Sequence, residues 1–164
     1  MSMKSALSIF STSFLAVALA PGQVDAATTS ASFSVSVTVQ AACAISASSM
    51  RFEPHDLRSV SATSTVSVNC IPSTPYNVGL SAGLAPGATV ANRKMIGPGS
   101  ALLGYSLQSD AGGIVNWVQT VGVDTVAGTG KGSVRKLSVL GQIPAGQYVA
   151  DGAYADTITV TVTY

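Results

Sequence analysis

Two segments of this chain alternate apolar and polar residues without a break, and only a β-strand with one covered face satisfies such a pattern. In residues 33–39, Phe33, Val35, Val37 and Val39 fall on one side and Ser34, Ser36 and Thr38 on the other. In residues 156–164, Ile158, Val160, Val162 and Tyr164 oppose Thr157, Thr159, Thr161 and Thr163. A period of two is the period of a strand, and β-branched side chains pack well on a pleated surface. The stretch between them is punctuated like a sandwich. Short strand pieces are expected at 44–46 and 50–52, the second ended by Pro54. Longer ones are expected at 64–70 through Val66 and Val68, at 76–80 through Tyr76, Val78 and Leu80, at 103–107 and at 134–139. Residues 83–99 read as loop, 110–113 and 128–132 as turns, and 143–146 as a connection.

The N-terminus has the pattern of an export signal. Lys4 precedes an apolar or small run at 6–20, which is shorter than the ~20 residues a membrane-spanning helix needs and is broken by Pro21-Gly22. Val24-Asp25-Ala26 places small or aliphatic residues where a signal peptidase reads, so residues 1–26 are expected to be cleaved. What remains divides into an N-terminal extension, 27–41, whose small polar lead carries the first alternating strand, and a single domain, 42–164. Only 9% of residues are charged and 6% aromatic, and the formal net charge is +1. The basic residues are scattered, which excludes the concentrated positive face that nucleic acid needs. A surface this poor in charge lacks the self-repulsion that keeps proteins apart and points to association. Cys43 and Cys70 are the two cysteines. Export to an oxidising compartment predicts one disulfide, and neither residue stands at metal or redox-motif spacing.

No arrangement of catalytic groups emerges. His55, the one histidine, follows Pro54 in a polar stretch and reads as a loop residue. Gly128-Thr129-Gly130-Lys131-Gly132 lacks the Ser or Thr and the helix of a phosphate loop and reads as a hairpin turn. Ser106 lacks the second glycine of a nucleophile elbow. Asp110, Asp124, Asp151 and Asp156 are dispersed and fit turns and strand ends rather than a calcium loop. The lone Trp117 reads as core.

The second alternating segment runs to the last residue, so nothing after it is expected to cover its free edge, and past Asp156 it has no charge, proline or bulge to blunt that edge. Residues 33–39 are the obvious cover, added in the same subunit or in the next, and either would be strand addition.

In these features the chain resembles the spore coat protein U family, whose members include major subunits of archaic chaperone-usher pili of the Csu type. The resemblance is carried by Ala42-Cys43-Ala44-Ile45-Ser46, by Val66-Ser67-Val68-Asn69-Cys70 with Pro75-Tyr76, and by Arg93-Lys94-Met95. Leu103-Gly104-Tyr105-Ser106-Leu107, Trp117, Gly141-Gln142-Ile143-Pro144-Ala145-Gly146-Gln147 and Gly152-Ala153-Tyr154-Ala155-Asp156 complete the set. It departs where the family commonly has Phe-Gly-x-Tyr, since this chain reads Phe52-Glu53-Pro54-His55. The resemblance implies an all-β, incomplete immunoglobulin-like sandwich lacking its last strand and completed by donor-strand complementation. Phe33, Val35, Val37 and Val39 match the donor strand, Cys43 and Cys70 the disulfide, and Ile158, Val160, Val162 and Tyr164 the strand bordering the acceptor groove. The implied partners are other pilin copies, a periplasmic chaperone and an outer-membrane usher, with no enzyme activity, cofactor, metal, nucleic acid or small-molecule substrate. Export through the periplasm to a surface fibre for adhesion and biofilm formation follows. The rival expectation is a self-complemented coat or lectin-like protein that folds as a monomer.

Overall fold

The computed structural model describes residues 27–109 and 112–164; the expected leader, 1–26, and the turn residue Asp110 lie outside them. The chain divides into two units, one ending at Val37 and one running from Thr38 to Tyr164. In the first, residues 27–37 form no regular secondary structure.

The second unit is built from β1 (Cys43–Ala47), β2 (Val60–Cys70), β3 (Pro75–Leu80), β4 (Arg93–Ile96), β5 (Leu102–Gln108), β6 (Val126–Thr129), β7 (Arg135–Ile143) and β8 (Val160–Thr163). One sheet has the order β1-β2-β7-β5-β4 and the other β6-β3-β8, and every pairing is antiparallel. An immunoglobulin sandwich places its first, second, fifth and fourth strands in one sheet and its third, sixth and seventh in the other. With β4 and β6 as additional edge strands, β1-β2-β7-β5 reproduces the first sheet and β3-β8 supplies the third and sixth strands of the second. The seventh strand would lie against the outer edge of β8, and no strand among the described residues occupies that place.

The core follows the period of two. Val66, Val68 and Cys70 on β2, Tyr76, Val78 and Leu80 on β3, Leu103, Tyr105 and Leu107 on β5, and Leu137, Val139 and Ile143 on β7 are buried in one cluster. Trp117, from the β5–β6 connection, is 0% exposed, and its indole N–H donates to the carbonyl of Val78 at 2.7 Å. Cys43 and Cys70 sit opposite one another in the β1–β2 register and are joined by a disulfide.

The structure departs from the sequence expectations in five places. Residues 50–52 form no strand; Met50 and Phe52 instead pack on Gly141 of β7, where an added Cβ would collide with both side chains. β4 lies inside the stretch expected to be loop, because Arg93 is pulled into the core. β6 takes in Gly128 and Thr129, expected as turn, since both pair with the start of β3. Residues 33–39 form no strand. Of the long final strand only Val160–Thr163 pairs with β3, because the chain before it crosses between sheets: Ala155 exchanges backbone hydrogen bonds with Ile96, the last residue of β4.

Candidate functional site

A groove of about 1250 Å³ opens between the segment after β1 and the chain that leads into β8. Its floor is the inner face of the core itself, Val66, Leu103, Leu107, Val139 and Ile143 from the larger sheet and Leu80 from the smaller. One rim is the segment 47–57 that follows β1, and the other is the segment 147–160 that leads into β8. The floor side chains are themselves only 1–4% exposed, and the apolar surface left half-covered along the groove is that of Met50, Phe52, Tyr154, Ile158 and Val160. Burial of such surface is worth about 25 cal/mol per Å².

Side-chain polar contacts add to isolated backbone bonds in tying down both rims. On the first, Ser48 and Ser64 exchange hydrogen bonds, with Ser64 Oγ donating to the Ser48 carbonyl at 2.6 Å and Ser48 Oγ accepting from the Thr65 amide at 3.0 Å. On the second, the Gln147 side chain accepts from the Gly104 amide at 2.8 Å and donates to the Gly104 carbonyl at 2.9 Å, completing a backbone-like pair on β5. Asp156 is the main clamp. Its carboxylate accepts from the amides of Leu84 and Thr157, each at 2.8 Å, and from the Tyr105 hydroxyl at 2.6 Å. Ser81 then receives the chain, exchanging bonds with Thr159 through its amide, 3.0 Å, and its hydroxyl, 2.9 Å. Gly97 is required beneath this rim, since a Cβ there would enter the Tyr154 ring.

Next to the Asp156 clamp lies a buried cation. Arg93 is 0% exposed and donates to the carbonyls of Ser81, Val90, Leu80 and Trp117 at 2.8, 2.8, 3.1 and 2.6 Å, and to Asn116 Oδ1 at 3.3 Å. Burial holds its pKa below the usual arginine value, an effect opposed by Tyr105 and Asp156. Tyr105 is pushed far above the usual tyrosine value by burial first, then by its hydrogen bond to Asp156 and that group's charge. Tyr105 therefore keeps its proton near neutrality and serves Asp156 as a donor.

The residues singled out in the sequence are distributed as follows. Ile158 and Val160 line the groove, Val162 is half-buried against the core, and Tyr164 is 56% exposed and outside the lining. Phe33, Val35, Val37 and Val39 are between 78% and 87% exposed. His55 lies in the groove rim, with neither ring nitrogen hydrogen-bonded within the protein. The first rim, Arg93 and the Asp156 clamp escaped sequence reasoning. Their one sequence signal was the set of ordered motifs around Arg93, Gln147 and Tyr154-Ala155-Asp156. Among the described residues, no group of three His, Cys, Asp or Glu side chains is placed to hold a metal ion, and no helix is long and apolar enough to cross a membrane.

Comparison with known proteins agrees with this geometry. The family model described as the Spore Coat Protein U domain matches residues 29–161. Among solved structures, the chain is similar to the CsuC–CsuE chaperone and tip adhesion subunit pre-assembly complex from archaic chaperone-usher Csu pili of Acinetobacter baumannii. The TM-score is 0.56 at 25% identity, over 77% of this chain and 41% of that one. A fainter likeness, TM-score 0.39 at 12% identity over 73% of this chain and 41% of that one, is to a chaperone–tip adhesin complex of CFA/I fimbriae biogenesis, and no weight rests on it. The chain therefore spans less than half the length of either solved chain. No curated protein matches it.

Proposed function

Because the chain belongs to the Spore Coat Protein U domain family, we propose that it is an exported structural subunit of a chaperone-usher pilus that polymerises by strand donation. Two observations carry this reading: a groove floored by core side chains that reaches Ile158 and Val160 at the start of β8, and an outer edge of β8 that no strand among the described residues pairs. An occupant needs an apolar-faced strand that pairs with that edge, and residues 33–39 of another copy have that form, with four exposed apolar side chains at alternate positions.

Full burial of those four side chains at ~1.5–3 kcal/mol each gives an upper range of about 6–12 kcal/mol, before main-chain hydrogen bonds are counted. A contact of that size links subunits durably without a covalent bond. Before assembly, the same groove is an aggregation hazard, which is the physical reason for a periplasmic chaperone to occupy it and for an usher to exchange that occupant for a neighbour's strand. Adhesion and biofilm formation are then properties of the fibre at the cell surface.

The test compares thermal unfolding of two chains produced in the periplasm. One lacks residues 27–41; the other is the same chain with residues 33–39 re-attached through a flexible linker after Tyr164. The reading expects the first to be unstable or chaperone-dependent and the second to be a stable monomer. A truncated chain that folds alone with nearly full stability would leave a self-contained coat or binding protein instead.

A further inference from the structure

A second cleft, of about 340 Å³, opens between the C-terminal end of β2 and the β6–β7 connection. Val68, Cys70 and Tyr76 form its floor, and Thr129, Lys131, Ser133 and Arg135 stand around it. No carboxylate lines it, and among the described residues neither Lys131 nor Arg135 forms an ion pair.

Tyr76 is 3% exposed, yet its hydroxyl has no hydrogen-bond partner in the protein. A buried hydroxyl left unpaired is unfavourable, so its persistence calls for a partner from outside. Gly128 makes room for it at the cleft floor: a Cβ there would stand 2.5 Å from the Tyr76 hydroxyl oxygen and 2.7 Å from Arg135 Nη1, so phenol and guanidinium lie side by side over one glycine. The surround is held in place by main-chain bonds, from the Gly130 amide to the Thr74 carbonyl at 2.7 Å, the Ser73 amide to the Gly130 carbonyl at 3.0 Å and the Gly132 amide to the Cys70 carbonyl at 3.0 Å.

A preformed cavity with an apolar floor, two unpaired cations and an unsatisfied donor is complementary to one kind of ligand. We propose that this cleft binds a small oxyanion, a carboxylate or a phosphate, carried on a body no larger than a single sugar ring. Arg135 and Lys131 supply charge, the Tyr76 hydroxyl donates to an anion oxygen, Ser133 and Thr129 meet hydroxyls of the body, and the floor receives its apolar face.

Equilibrium dialysis of the exported chain against labelled glucuronate, glucose 6-phosphate and glucose at low salt tests this. Retention of glucuronate alone assigns a carboxylate source, of glucose 6-phosphate alone a phosphate source, and of both an unselective oxyanion site; each supports the proposal when glucose is retained at least about tenfold more weakly. Arg135→Gln and Lys131→Gln should each weaken retention about tenfold, and raised salt should weaken it further. Tyr76→Phe should weaken it about fivefold without lowering the unfolding temperature, because the lost hydroxyl satisfies nothing inside the protein. No retention of either anion at about 10 mM, equal retention of glucose, or undiminished retention by both Arg135→Gln and Tyr76→Phe would overturn it.

Discussion

Replacing Arg93 by methionine keeps much of the side-chain volume and removes the guanidinium donors from the centre of the clamp region. Arg93 serves four main-chain carbonyls, of Leu80, Ser81, Val90 and Trp117, and the side chain of Asn116. A lost buried hydrogen bond is worth about 1 kcal/mol net, and more when one partner is charged. Against this stands the desolvation of the guanidinium, visible in its lowered pKa and relieved on substitution. The partners are dipoles rather than a carboxylate, so no unpaired opposite charge is left behind, but several carbonyls lose a donor in a place water reaches poorly. The two effects leave a net destabilisation of about 3 kcal/mol, a large share of the 5–15 kcal/mol typical of a domain. The assay is urea unfolding of the chain carrying its strand after Tyr164, read by fluorescence of the single, fully buried Trp117. Arg93→Lys, with three donors for five acceptors, should fall between the two, near 2 kcal/mol. An Arg93→Met chain within about 1 kcal/mol of the parent, with an unchanged denaturant slope, would refute the reasoning.

Tyr105 gives a pH dependence with a definite sign. Its folded pKa lies above the ordinary 10.0, so its contribution is fully present below pH 10 and is lost as pH rises above that, while unfolded chains ionise first. Tyr105→Phe should flatten that alkaline loss, measured as unfolding temperature between pH 8 and 11; an unchanged slope would contradict the assignment. The Cys43–Cys70 disulfide closes a loop across a separation of 27 residues, so the Cys43→Ala/Cys70→Ala chain should be less stable by about 3.5 kcal/mol in denaturant, and a difference under about 1 kcal/mol would show that loop closure is not its main role. Gly141→Ala would push Met50 and Phe52 off β7 and displace the first rim. It should cost about 1–3 kcal/mol and speed dissociation of an added peptide of sequence 33–39, and unaltered dissociation would mean the rim takes no part in holding the strand.

Much of the sandwich was legible because a period of two records which side chains share a face. The inner faces of β2 and β3 were expected through Val66 and Val68 and through Tyr76, Val78 and Leu80, all of which are buried, and β5 was expected as a strand at 103–107. Arg93 and β4 were not legible: an arginine satisfied by carbonyls at 80, 81, 90 and 117 looks in sequence like any surface arginine, because its partners are remote and carry no side-chain signature. The first rim was misread as strand at 50–52, since local alternation cannot tell pairing with a neighbour from packing on a glycine of β7.

By itself, then, the amino-acid order determined that the chain is all-β, which faces of its central strands are apolar, and that one disulfide is available. Tertiary structure alone decided where the sandwich stays open. Residues 156–164 alternate throughout, yet only Val160–Thr163 pairs with β3, because Asp156 anchors the preceding segment to Tyr105 and Leu84 and Ala155 holds it at Ile96. The physical reason is that alternation is a local property of one strand, whereas a strand's edge is completed or left bare by hydrogen-bond partners far away in the chain.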